Sequence, residues 1–146
     1  MSTNIIEFRV PGPMVGKERA RVTRRGTYTP QKTLDYEEKI RTYCMKEWRA
    51  RGGLINYDPN GWFVVGFEFY HRYAELFPDA DNIMKCACDA LQGRIWYNDK
   101  HVIPRAWRAI TNVGKDCGMD ISIHHAGEYE HHEYVKAKKG MERCYK

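Results

Sequence analysis

PDADNIMKCACDALQGRIWYNDKHV, residues 78–102, sets four aspartates, Asp79, Asp81, Asp89 and Asp99, around one central lysine, Lys85. From Asn82 to Leu91 the run holds neither Gly nor Pro, and Gly93 follows as a stop signal, so it reads as a helix. Asp81 stands where an N-cap belongs, its carboxylate able to accept a backbone N–H of the first turn. At about 100° per residue, Asp81, Lys85 and Asp89 fall along one face of that helix, and Ile83, Ala87, Ala90 and Leu91 supply the buried side. Gly93 turns the chain into Ile95-Trp96-Tyr97, a short run of strand composition, with Asp99 just beyond it. A helix that folds back onto a strand in this way can bring Asp99 toward Asp79 and Asp81.

Clustered carboxylates repel one another and are costly to desolvate, so water, a cation or a lysine must balance them. Mg2+ suits them, being a hard ion that takes oxygen ligands and keeps several waters. Lys85 beside it would stabilise charge on a phosphate. Taken alone, Asp-x-Asp at a helix start is equally the mark of capping and surface salt bridges. The whole string is more specific: D-x-D-N-x-x-K-x-x-x-D-A-L, a glycine, then Y-N-D. In order and spacing it resembles the signature of the RusA family of Holliday-junction resolvases, and Asn82, Ala90-Leu91 and Gly93 fit as well.

The resemblance implies a homodimeric, Mg2+-dependent endonuclease, with Mn2+ as a substitute, that resolves four-way DNA junctions by paired nicks in recombination and repair. It implies that Asp79, Asp81 and Asp99 bind the metal and that Lys85 is the catalytic lysine, with Asp89 as a further carboxylate. The family usually carries two aspartates where this chain has Asn98-Asp99, and the essential carboxylate is placed on Asp99.

Upstream, Asp58-Pro59-Asn60-Gly61 is a turn. Trp62 to Tyr70 follows as a strand, with Phe63, Val65, Phe67 and Phe69 alternating against Val64, Gly66, Glu68 and Tyr70. Both faces are largely apolar, which predicts a central strand. Glu68 is the exception. It is either a further metal ligand or support for one, or a sheet-face glutamate paired with Arg or Lys. Residues 71–78 form a loop that sets His71, Arg72 and Tyr73 to meet substrate, and Phe77 either wedges into a branch point or plugs the core.

At the start of the chain, Ile6, Phe8 and Val10 alternate along a first strand that ends at Pro11-Gly12-Pro13. Lys17, Arg19, Arg21, Arg24 and Arg25 follow, opposed only by Glu18. They read as a phosphate-contacting arm or hairpin turning near Gly26, or as a solvated surface loop. This region also resembles the RusA family, in which P-x-x-K-x-R-x-R precedes G-x-Y-T-P; here one more residue separates Pro13 from Lys17. Thr29-Pro30, a capping hydroxyl and then proline at the first helical position, begins a helix that runs to about Arg51 and closes at Gly52-Gly53, with Tyr36, Ile40, Tyr43, Cys44 and Trp48 as its buried stripe.

Downstream, residues 100–103 end at Pro104, Arg105 to Asn112 reads as a strand, 114–118 as a turn, and Met119 to His125 as another strand. The expected fold is α+β: one domain, a mixed sheet of about four to five strands and two main helices. The endonuclease domain is placed at 1–126 and a polar tail at 127–146, whose histidines and cysteine match no standard zinc spacing.

The chain has 146 residues, 42% of them hydrophobic, and a net charge of +5 with a pI near 8.9, which favours a polyanionic partner. No apolar run is long enough to span a membrane, and the first residues lack a signal-peptide layout. A cytoplasmic protein of a bacterial host, phage- or prophage-encoded, is therefore expected. Five cysteines in a reducing compartment are expected as free thiols. The rival readings are a non-catalytic branched-DNA-binding protein and a nuclease of broader flap or fork taste.

Overall fold

The computed structural model of the chain describes residues 4–74 and 78–126. Phe77 and the tail from Gly127 onward lie outside them, and with them the Phe77 and tail expectations. Strand β1, Ile5–Pro11, buries Ile6, Phe8 and Val10 and exposes the alternate positions, as a strand covered on one face must. Helix α1 is Gln31–Arg51, β4 is Trp62–Tyr70, α2 is Ala80–Leu91, β5 is Val102–Ile110 and β6 is Gly118–Ala126. Two three-residue strands, β2 (Arg21–Thr23) and β3 (Gly26–Tyr28), form a separate hairpin.

The main sheet has the order β1-β6-β4-β5. β6 is antiparallel to both β1 and β4, whereas β5 runs parallel to β4. A parallel pair needs a crossover, and α2 supplies it. Phe63, Val65, Phe67 and Phe69 of the internal β4 join Tyr36, Ile40 and Cys44 of α1 and Ile83, Ala87, Ala90 and Leu91 of α2 in one core. Tyr43 and Trp48 of the expected stripe pack on its margin. The fold is thus α+β, a mixed four-stranded sheet layered under two helices.

Four local expectations change. Pro30 occupies the N-cap of α1 rather than its first turn, and no side chain caps it. α2 begins at Ala80, so Asp79 rather than Asp81 is its N-cap residue, again without a side-chain cap. Ile95-Trp96-Tyr97 is not a strand. The N–H groups of Arg94 and Ile95 return to the Leu91 carbonyl (3.0 and 2.9 Å), and Gly93, at φ +80°, closes the turn by donating to Trp96 (2.7 Å). Ile95 and Trp96 are fully buried there, so their apolar bulk fills the core under α2. Finally, β5 runs straight through Pro104. As the edge strand it tolerates a residue with no N–H to donate.

Candidate active site

The crossover decides where the aspartates go. Asp81 lies exposed in the first turn of α2, Lys85 one turn later and Asp89 a further turn on. After the buried Ile95-Trp96 plug the chain emerges at Asp99, the first residue of a 3-10 turn, Asp99–His101, that leads into β5. An open cleft of about 290 Å³ forms between helix and strand, lined by Asp81, Met84, Lys85, Cys88, Asp89, Asp99, Val102 and Pro104. Parallel pairing thus returns β5 beside α2 and brings residues 81 and 99 to one cleft.

Asp79 stands exposed at the N-cap, outside this lining, its backbone carbonyl accepting the N–H groups of Asn82 and Ile83 at 3.1 Å each. Asn98 lies outside the lining too, its side-chain oxygen accepting the Lys100 N–H at 3.0 Å and capping the 3-10 turn. A carboxylate would serve that capping task equally well.

Asp99 has a neighbour that its sequence spacing did not reveal. With the amide of Gln92 oriented so that donors face acceptors, its nitrogen donates to Oδ1 and Oδ2 of Asp99 at 2.8 and 3.0 Å. Gln92 is the C-cap residue of α2, so the helix that carries Asp81 and Lys85 also orients Asp99. Lys85 is exposed and makes no ion pair among the described residues.

Asp89 is held differently. Lys17 Nζ lies 3.1 Å from its carboxylate and 2.7 Å from that of Glu37, with all three side chains largely shielded from solvent. Burial pulls the Lys17 ammonium toward deprotonation, but the hydrogen bonds and charges of Glu37 and Asp89 outweigh it and raise its pKa. Lys17, expected among the DNA-contacting residues, is therefore an internal tie between the basic arm, α1 and α2. Glu37 was missed, although a carboxylate inside the buried stripe of α1 needs a cationic partner.

The other arm residues do face solvent. Arg19, Arg21, Arg24 and Arg25 are exposed, and Arg24-Arg25 form the tip of the β2–β3 hairpin. Thr23 Oγ1 braces that tip, accepting from the Arg25 N–H at 3.2 Å and donating to the Gly26 carbonyl at 3.0 Å. Arg72 is exposed, with its guanidinium 5.4 Å from the Tyr73 ring centroid. His71, expected to meet substrate, is instead buried at the end of β4, where desolvation lowers its pKa.

Glu68 is likewise elsewhere. It lines a groove on the opposite face of the sheet with Arg9, Trp107 and Asp120, and accepts a hydrogen bond from Tyr70 Oη at 3.0 Å. Cysteines 44, 86, 88 and 117 form no disulfide among the described residues. Among the described residues no helix is long and apolar enough to cross a membrane.

No group of three or more His, Cys, Asp and Glu side chains among the described residues is gathered tightly enough to hold a metal ion. Mg2+ is commonly held by one or two carboxylates, its own waters and a substrate phosphate. The donor set of Asp81 and Asp99 fits that ion, and does not fit one that demands a full protein cage.

The cleft thus sets carboxylates beside a lysine with no ion pair among the described residues, on a chain of net positive charge. The family model described as endodeoxyribonuclease RusA matches residues 11–124, most of the chain, and the protein belongs to that family. No curated protein matches it.

Proposed function

We propose that the protein is a Mg2+-dependent, structure-selective endodeoxyribonuclease that resolves four-way DNA junctions by paired nicks, acting as a homodimer. The observation that carries this reading is the cleft where Asp81, Lys85 and Asp99 meet, inside the region matched by the family. Asp81 and Asp99 would hold Mg2+, with Asp79, at the N-cap two residues before Asp81, as a further carboxylate. The bound ion supplies acidification of water and neutralisation of charge developing on the phosphoryl oxygens.

The chain's own groups do the rest. Lys85 presents its ammonium to the scissile phosphate and offsets charge in the pentacovalent state. Gln92 keeps Asp99 turned into the cleft. Arg19, Arg21, Arg24, Arg25 and Arg72 bind backbone phosphates and fix the register of the DNA without reading its sequence. A four-way junction has two-fold symmetry, and a two-fold dimer presents one cleft to each of two opposed strands.

Asp81→Asn and Asp99→Asn test the assignment. Cleavage of a labelled junction is expected to fall to background while junction binding in a gel-shift assay persists or tightens, because each change removes negative charge near a phosphate. Cutting at the wild-type rate by both variants contradicts it.

A further inference from the structure

The Lys17–Asp89 ion pair has a neighbour it leaves alone. Asp89 lies four residues after Lys85 on α2, the spacing at which helical side chains meet, and both line the cleft. A carboxylate at that position lies within reach of Lys85, as does that of Asp81 one turn before it, which the proposed Mg2+ would claim. Yet the Asp89 carboxylate is paired with Lys17, at 3.1 Å, and Lys85 has no ion pair among the described residues.

Lys17 is fixed for this task from three sides. Its backbone N–H donates to the Asn82 carbonyl at 3.0 Å, in the first turn of α2. Gly16 passes so close to that turn that an added Cβ would lie 3.0 Å from Pro78 Cβ and 3.1 Å from Asn82 Cβ. Glu37 of α1 holds the same ammonium at 2.7 Å. The strand of chain entering the basic hairpin is thus laid along α2 and delivers its cation to Asp89.

We infer that Lys17 is a positioning residue for the proposed reaction: by occupying Asp89 it keeps that carboxylate from capturing Lys85, and so leaves the Lys85 ammonium free for the phosphate. The inference rests on the proposed nuclease reading. It differs from a DNA-contacting role for Lys17 in what a neutral residue there would do.

Lys17→Met leaves Asp89 unneutralised beside Lys85. The single-turnover cleavage rate at saturating junction is expected to fall about ten-fold or more, the scale seen when a supporting partner is removed, with no change in junction Kd. Adding Asp89→Asn removes the captor, so the double variant is expected to recover most of the lost rate. Loss of binding with an unchanged saturating rate overturns the inference, as does an unaffected Lys17→Met or a double variant no faster than the single one. Where Lys17→Met does not fold, Lys17→Gln, whose amide still donates to Glu37, carries the same comparison. A crystal structure of the folded single variant gives a readout independent of cleavage. Lys85 Nζ is expected within about 4 Å of the Asp89 carboxylate, and a longer separation refutes the capture even if the wild-type protein cuts nothing, which would sink the nuclease reading instead.

Discussion

Gln92 is the residue through which α2 controls its partner across the cleft. Its amide grips both oxygens of the exposed Asp99. Gln92→Leu keeps the bulk and deletes both hydrogen bonds. Under saturating junction and limiting Mg2+, its cleavage rate is expected to drop about 10- to 100-fold, with part of the loss recovered at high Mg2+. A rate equal to wild type at limiting Mg2+ contradicts that role. At this scale the sequence was legible where spacing carried the signal. Asp81 and Lys85 share a helix face because they are four apart, and a glycine turn returned Asp99 to them. Gln92 had no such signal, since an amide at a helix end is ordinary until its partner is known. Lys17 was counted with the arginines beside it by its charge and its place in the basic segment, and the fold reveals the buried Glu37 that claims it.

Among the elements, the β2–β3 hairpin separates most cleanly from the chemistry. Its eight residues, 21–28, are all exposed, and the Arg24-Arg25 tip carries two charges with no ion pair among the described residues. If each arginine contacts one phosphate, replacing both by Ala lowers the slope of log K against log salt by about 2. Binding to duplex and junction is expected to weaken alike, while the rate at saturating DNA stays near wild type. An unchanged salt slope would take the hairpin out of the DNA interface. Elements with a strong period were legible: α1 through its apolar stripe, β4 through its alternation, and β6 through Met119, Ile121 and Ile123. The run Ile95-Trp96-Tyr97 was not, because strand-like composition and core-filling bulk look alike over three residues. Pro104 hid the continuity of β5, since tolerance of a proline depends on the strand's place at the sheet edge.

For the molecule as a whole, two cysteines set an alkaline limit on stability. Burial pushes the thiols of Cys44 and Cys86 from 9.0 up to about 12. Below pH 9.0 both are protonated in folded and unfolded chains alike, and their contribution is fully present. Above it the unfolded chain releases protons that the folded one keeps, so stability falls by about 1.4 kcal/mol per pH unit for each thiol until the folded value is reached. Urea midpoints are expected to decline from about pH 9 to about pH 11, and Cys44→Ala with Cys86→Ala to flatten the decline. An equally steep decline in the double variant would place its cause elsewhere. The proposed function at this scale would depend on how two such clefts face a branched substrate, and the most direct measurement is cleavage of an end-labelled four-way junction beside a duplex of matching sequence, in Mg2+ and in EDTA. Paired nicks in the junction alone, present with Mg2+ and absent with EDTA, are the predicted result. Tight junction binding without any cleavage in Mg2+, or equal cleavage in EDTA, would contradict it.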